Sequence, residues 1–135
     1  MLATSADPDP RASSLLLFFA EHLRGPWKFH PANPVSTDVR NHRGAGKIFW
    51  TGDRWIRPSQ SACPIYGHSF TLNEILELSP TKYSERAIRE FTPETLGDIH
   101  STHTYNWLPG IELIDGTTMK SPAMDRCPDP SCASR

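Results

Sequence analysis

Prolines constrain this chain more than any other feature. Thirteen of them run from Pro8 to Pro130 in 135 residues, about twice the usual share. Proline removes a backbone donor and restricts the residue before it, so a chain punctuated this way cannot build long helices. Short strands and turns remain. Lys47–Trp50 and Arg54–Arg57 are apolar-aromatic runs separated by Thr51-Gly52-Asp53, the signature of a β-hairpin. Ser69–Leu78 is a further strand, and its apolar phase slips near Asn73-Glu74, which predicts a bulge. Ser101–Trp107 and Ile111–Ile114 flank Leu108-Pro109-Gly110 as a second hairpin, closed by a turn at Asp115-Gly116. The expected fold class is therefore all-β and antiparallel.

The remaining segments fit this reading with less definition. Ser14–Glu21 is continuously apolar at its centre, as a strand covered on both faces should be. Trp27–Phe29 suits a short strand, and Val35–Gly46 reads as a long exposed loop. Ser79-Pro80 can start a helix, with Tyr83, Ala87 and Phe91 as its stripe, yet a strand fits Tyr83–Phe91 as well. Residues 1–13 are small, polar and acidic, and 120–135 lack any periodic pattern. Both are expected to be disordered around one domain spanning 14–119.

Charge and cysteine usage exclude several functions. Fourteen basic and fifteen acidic residues give a net charge of −1, with no basic run to follow a phosphate backbone or an anionic membrane surface. No apolar stretch approaches the ~20 residues of a membrane-spanning helix, and no secretory leader is evident, so the default compartment is the cytoplasm. Cys63, Cys127 and Cys132 do not make a disulfide framework. His100 and His103 would lie on opposite faces of a strand, which argues against a shared metal ion. No cofactor motif is present, and none is expected.

Several short motifs carry a resemblance. Gly25-Pro26-Trp27 precedes His30-Pro31-Ala32-Asn33-Pro34. Gly46–Phe49 and Arg57-Pro58-Ser59-Gln60 follow. Tyr66-Gly67, Asn73–Ile75, His103–Asn106 and Ile114–Gly116 complete the series. In order and spacing this resembles the N-terminal domain of glucosamine inositolphosphorylceramide transferase, which is similar to the five-bladed β-propellers of arabinanase- and levansucrase-type glycoside hydrolases. The resemblance covers about Ser14 to Met119 and corresponds to the C-terminal half of such a propeller. It implies a partial β-propeller of two to three antiparallel blades. It also implies a carbohydrate-active domain, a truncated copy that contributes sugar or sugar-phosphate contacts.

By that resemblance, the substrate-binding candidates are Arg57, Gln60, His103, Asn106 and Asp38. A guanidinium suits planar anions, and a strand histidine near the central channel suits a ligand. Asp38 lies in the polar loop, where it can reach a ligand or cap a turn. Trp27, Trp50, Trp55 and Trp107 are candidate sugar platforms, set against the core packing aromatics usually provide. The propeller glycosidases take their acids mainly from earlier blades, and Ser61 stands where an acidic residue is expected. Glycoside cleavage needs paired carboxylates, and no catalytic pair is identifiable here. Two other functional readings follow: a glycosyltransferase or glycosidase completed by oligomerisation, and an inactive structural remnant. An incomplete propeller leaves edges open, which implies self-association or a missing N-terminal half.

Overall fold

The computed structural model describes residues 1–5, 13–97 and 99–119. The described residues form an all-β, antiparallel fold, in keeping with the proline spacing, and among them no sheet closes into a barrel. Residues 120–135, expected to be a disordered tail, lie outside the described residues.

The first sheet is built from β1 (Leu2–Thr4), β2 (Leu15–Phe19) and β3 (Lys28–Phe29) in that order. In β2, Leu15 and Leu17 are buried while Leu16 and Phe18 are half-covered, so both faces are sheltered. Within the lead-in expected to be disordered, residues 2–4 depart from expectation. Leu2–Thr4 pairs with Leu15–Leu17, because an apolar strand gives this short segment backbone partners and a place for Leu2. The loop after β3 is fastened by Asn33, whose side chain accepts the Leu17 N–H and donates to the Leu17 carbonyl, both at 2.7 Å.

The main sheet contains β4 (Arg43–Gly44), β5 (Phe49–Trp50), β6 (Trp55–Ser61), β7 (Ser69–Leu78) and β8 (Tyr83–Phe91). Its path is β4-β6-β7-β8, with β5 pairing β6 further along. The predicted hairpin is present: Phe49 faces Ile56 and Trp50 faces Trp55. Gly52, at φ +107°, takes the left-handed conformation its turn needs. The loop read as wholly exposed is not. It contributes β4, and it buries His42 and Ala45.

Tyr83–Phe91 is a strand, which settles the helix–strand ambiguity. Ser79 N–H bonds the Lys82 carbonyl at 2.9 Å and Ser79 Oγ accepts the Lys82 N–H at 3.0 Å. That tight turn folds β8 back on β7 before a helix can start. The β7–β8 register slips at the predicted place, but the first extra residue is on β8 rather than β7. Leu72 pairs with Arg89 but Asn73 pairs with Ala87, which leaves Ile88 as an extra residue; a second slip follows between Ile75 and Glu77. The bulge moves the side chains of 85–87 and 89–91 out of simple alternation. With Glu85, Arg86, Arg89 and Glu90 along it, this edge strand is poorly suited to pairing with another chain.

A short helix α1 (Pro93–Leu96) leads to the second predicted hairpin, β9 (Tyr105–Leu108) and β10 (Ile111–Ile114). The core forms where this hairpin meets the main sheet. Phe70, Phe91, Tyr105 and Ala45 are its buried members, with Phe49, Leu72, Leu96 and Trp107 packed around them. Phe70 stacks on Phe91 at 4.6 Å between ring centroids and lies 5.3 Å from Tyr105. Gly46 permits the junction. A Cβ there would come within 2.0 Å of the Tyr105 carbonyl oxygen.

Candidate functional site

Arg57 projects from β6 into the sheet's polar face and is almost fully buried. Glu85, from β8, receives it two-pronged: Nε to Oε2 at 2.6 Å and Nη2 to Oε1 at 2.5 Å. Nη2 also donates to the Asn41 carbonyl at 3.1 Å and to Asn41 Oδ1. Tyr83 donates its hydroxyl to Glu85 Oε2 at 2.6 Å. Asn73, fully buried beside them, donates to the Arg57 carbonyl at 3.0 Å and to Ser59 Oγ at 2.8 Å. Burial alone pushes the Glu85 carboxyl up, but the hydrogen bonds and charge of Arg57 outweigh it and hold the carboxyl below its usual range. Burial would likewise lower Arg57, and Glu85 reverses that. Burial pushes the Tyr83 phenol up, and its bond to Glu85 adds to the rise.

The five residues expected to touch a ligand are therefore not brought together. Arg57 is committed to Glu85 and Asn41. Gln60 is buried in the same strand. Arg57 Nη1 and Gln60 Nε2 have no hydrogen-bond partner among the described residues.

Asp38 lines an open polar cleft of about 440 Å³ with Asn41, Thr71, Asn73 and Glu90. Arg40 grips it there through Nε at 3.0 Å and Nη2 at 2.8 Å. Those hydrogen bonds hold the Asp38 carboxyl below its usual range.

His103 lies in the loop before β9 rather than on a strand. Its Nδ1 is 3.4 Å from Asp115, its ring is 5.3 Å from that of Tyr66, and it is packed against Gly67, where a Cβ would meet Nε2 at 2.3 Å. Asp115, read from sequence as turn chemistry, does more. Its Oδ1 accepts the backbone N–H groups of His103 at 2.7 Å and Thr104 at 2.6 Å. Asp115→Ala removes both bonds from an exposed site where water can replace the acceptor, and should lower unfolding free energy by about 0.5–1.5 kcal/mol in urea denaturation.

Asn106 sits elsewhere, on a second cleft of about 470 Å³ whose other walls include Lys47, Trp50, Trp55, Trp107 and Leu108. The residues that position it are local. Trp50 and Trp55 are directly paired across the β5–β6 ribbon, with ring centroids 5.3 Å apart, and both are about half exposed. Trp107 stacks on Phe49 at 5.2 Å, which locks β9 against β5 and fixes the cleft's width. Trp27, the fourth candidate platform, lies on a different cleft beside Phe18 and Pro80.

Among the described residues, no cluster of histidine, cysteine and acidic side chains could hold a metal ion. None of the helices there is long and apolar enough to cross a membrane. Set against protein-family models, curated proteins and solved structures, the chain matches none.

Proposed function

We propose that this chain is a carbohydrate-contacting domain and that the sugar lies in the cleft of Trp50, Trp55 and Trp107. That cleft carries the reading. Indole rings present a broad apolar face to the C–H face of a sugar, and they lose little conformational entropy on binding. Two half-exposed, mutually braced tryptophans would cost energy on a surface with no ligand. Asn106 and Lys47 supply the few polar groups that orient hydroxyls in an otherwise apolar site. The main sheet is a five-stranded antiparallel meander in which β4 and β5 share one edge of β6, followed by β7 and β8, and its meander order supports a blade-like unit. This accords with a truncated member of the resembled transferase domain.

Binding is favoured over hydrolysis. The polar cleft holds Asp38 and Glu90. Asp38 is ionised and gripped by Arg40, and Glu90 accepts the Ser69 hydroxyl at 2.8 Å. A glycosidase acid is held protonated, and Arg40 drives Asp38 the opposite way.

Titration of the tryptophan fluorescence with a panel of oligosaccharides tests the proposal. At least one sugar shifts the emission, and Trp55→Ala weakens it about tenfold or more, as for an anchoring aromatic. An unchanged affinity in Trp55→Ala, with near-ultraviolet circular dichroism preserved, refutes this site.

A further inference from the structure

We infer that a second pocket, separate from the tryptophan cleft, takes a small and largely apolar molecule whose one neutral carbonyl oxygen bonds to Arg57. This does not rest on the sugar reading. A cavity of about 300 Å³ lies between the first sheet and the main sheet, at the small end of ligand pockets. Leu2 and Leu15 enter it from one side, Ile48 and Pro58 from the other, so its walls are mostly apolar.

The same cavity meets an orphaned donor. Arg57 forms part of its wall and is almost wholly buried. Nε and Nη2 are both turned to Glu85, which reaches Arg57 from β8, across β7. A guanidinium is planar, so Nη1 points the opposite way, towards β4 and β5, the side on which the cavity lies. Nη1 is buried and has no acceptor among the described residues. Such a donor costs stability that a ligand oxygen restores.

Gly44 is the third observation. It pairs with Ser59, two residues along β6 from Arg57, and so belongs to the face that carries Arg57. Its φ is not left-handed, and a Cβ there would meet nothing within 4 Å. Gly46, on the same cavity, is required by the Tyr105 carbonyl, whereas Gly44 has no such neighbour. Glycine weakens a strand and often marks a place where a ligand comes close.

Glu85 sets the chemistry. Its carboxylate already balances the guanidinium, so Nη1 calls for an acceptor and not for the planar anion that its sequence context suggests. A carboxylate entering beside Glu85 would lose its hydration among Leu, Ile and Pro side chains. Lys47 also borders the cavity, but it is exposed and stays hydrated. A ketone oxygen costs far less to bury. It reaches Nη1 as β1 yields, a three-residue edge strand that gives Leu2, Ala3 and Thr4 to the cavity wall.

The experiment is an NMR titration of the whole chain with cyclohexanone, with methylenecyclohexane, which has the same shape but no oxygen, and with cyclohexanecarboxylate. Cyclohexanone should bind about tenfold tighter than the hydrocarbon, the worth of one hydrogen bond from a charged donor, and should shift the Arg57 guanidinium signals. The carboxylate should bind more weakly than the ketone. Gly44→Leu, whose side chain enters open space, should fill the cavity and abolish binding with near-ultraviolet circular dichroism unchanged. Equal affinities for ketone and hydrocarbon overturn the inference, and so does a carboxylate that binds tighter than the ketone. Binding retained in a folded Gly44→Leu overturns it too. Binding of none of the three leaves the cavity as solvent space and overturns it as well. The wild-type comparisons decide the matter even where Gly44→Leu fails to fold, and none of these results bears on the tryptophan cleft.

Discussion

Phe70→Ala lowers the unfolding free energy by about 3–5 kcal/mol in chemical denaturation, the range for emptying a phenyl ring from a packed core. Phe70 is fully buried. Its ring is stacked on Phe91, 16° from parallel, and 5.3 Å from Tyr105. The three rings come from β7, β8 and β9, so Phe70 joins the main sheet to the separate β9–β10 hairpin. Removing it costs the transfer free energy of the ring and leaves a void that flat neighbours cannot close. The loss reaches function through the same joint. Tyr105 and Trp107 lie in one short strand, and Trp107 forms a wall of the aromatic cleft. Near-ultraviolet circular dichroism should therefore weaken along with sugar binding. Phe70→Leu, which keeps most of the apolar volume, costs a smaller part. A loss below about 1 kcal/mol for the alanine variant would mean that the aromatic cluster is not the core that holds the hairpin.

Legibility from sequence tracked the range of the interaction. Trp50 and Trp55 were readable as hairpin partners because Gly52 and the short turn bring them together within a few residues. The same held for β9 and β10 around Pro109-Gly110. The slipped apolar phase between Leu72 and Ile75 pointed to an irregularity at the right place but on the wrong strand: the extra residue there is Ile88, on β8, and β7's own extra residue is Leu76. Tyr83–Phe91 was ambiguous because its apolar residues fall at helical spacing. The strand prevails through its pairing with β7, reached by the turn at Ser79–Lys82, and its bulge scrambles the alternation that would have marked it.

Arg57 is the instructive case for the site. Its sequence context, a guanidinium just after an aromatic run, suits a ligand contact. Its partner Glu85 lies 28 residues on, in an edge strand, and no local pattern announces the pairing. Asn106 is the opposite case, since the sequence placed it on the second hairpin and the structure sets it beside three tryptophans. Asp115 hid behind its glycine, because turn chemistry and the capping of distant backbone N–H groups use the same residue type.

Arg57→Ala is expected to cost about 3–5 kcal/mol at neutral pH, because it leaves the Glu85 carboxylate buried and unpaired. Glu85 would keep only Tyr83 and Asn41 as donors. The loss is thus a penalty on an abandoned charge as much as a measure of the pair. Arg57→Met combined with Glu85→Leu tests that directly. With both charges gone, much of the stability returns, since apolar replacements of buried ion pairs are often near neutral. The pH dependence has a definite sign. In the wild type the folded Glu85 carboxyl sits below its unfolded value. Its contribution is therefore complete above the unfolded pKa of about 4.3 and is lost as pH falls through the folded value. In Arg57→Ala, burial without a cation raises the same carboxyl. Its penalty is then relieved as pH drops from neutral and the group takes up a proton. The two denaturation midpoints should converge between neutral pH and about pH 4. A stability gap that stays constant over that interval would show that Glu85 is not the group left stranded, and that Arg57 contributes through Asn41 and packing instead.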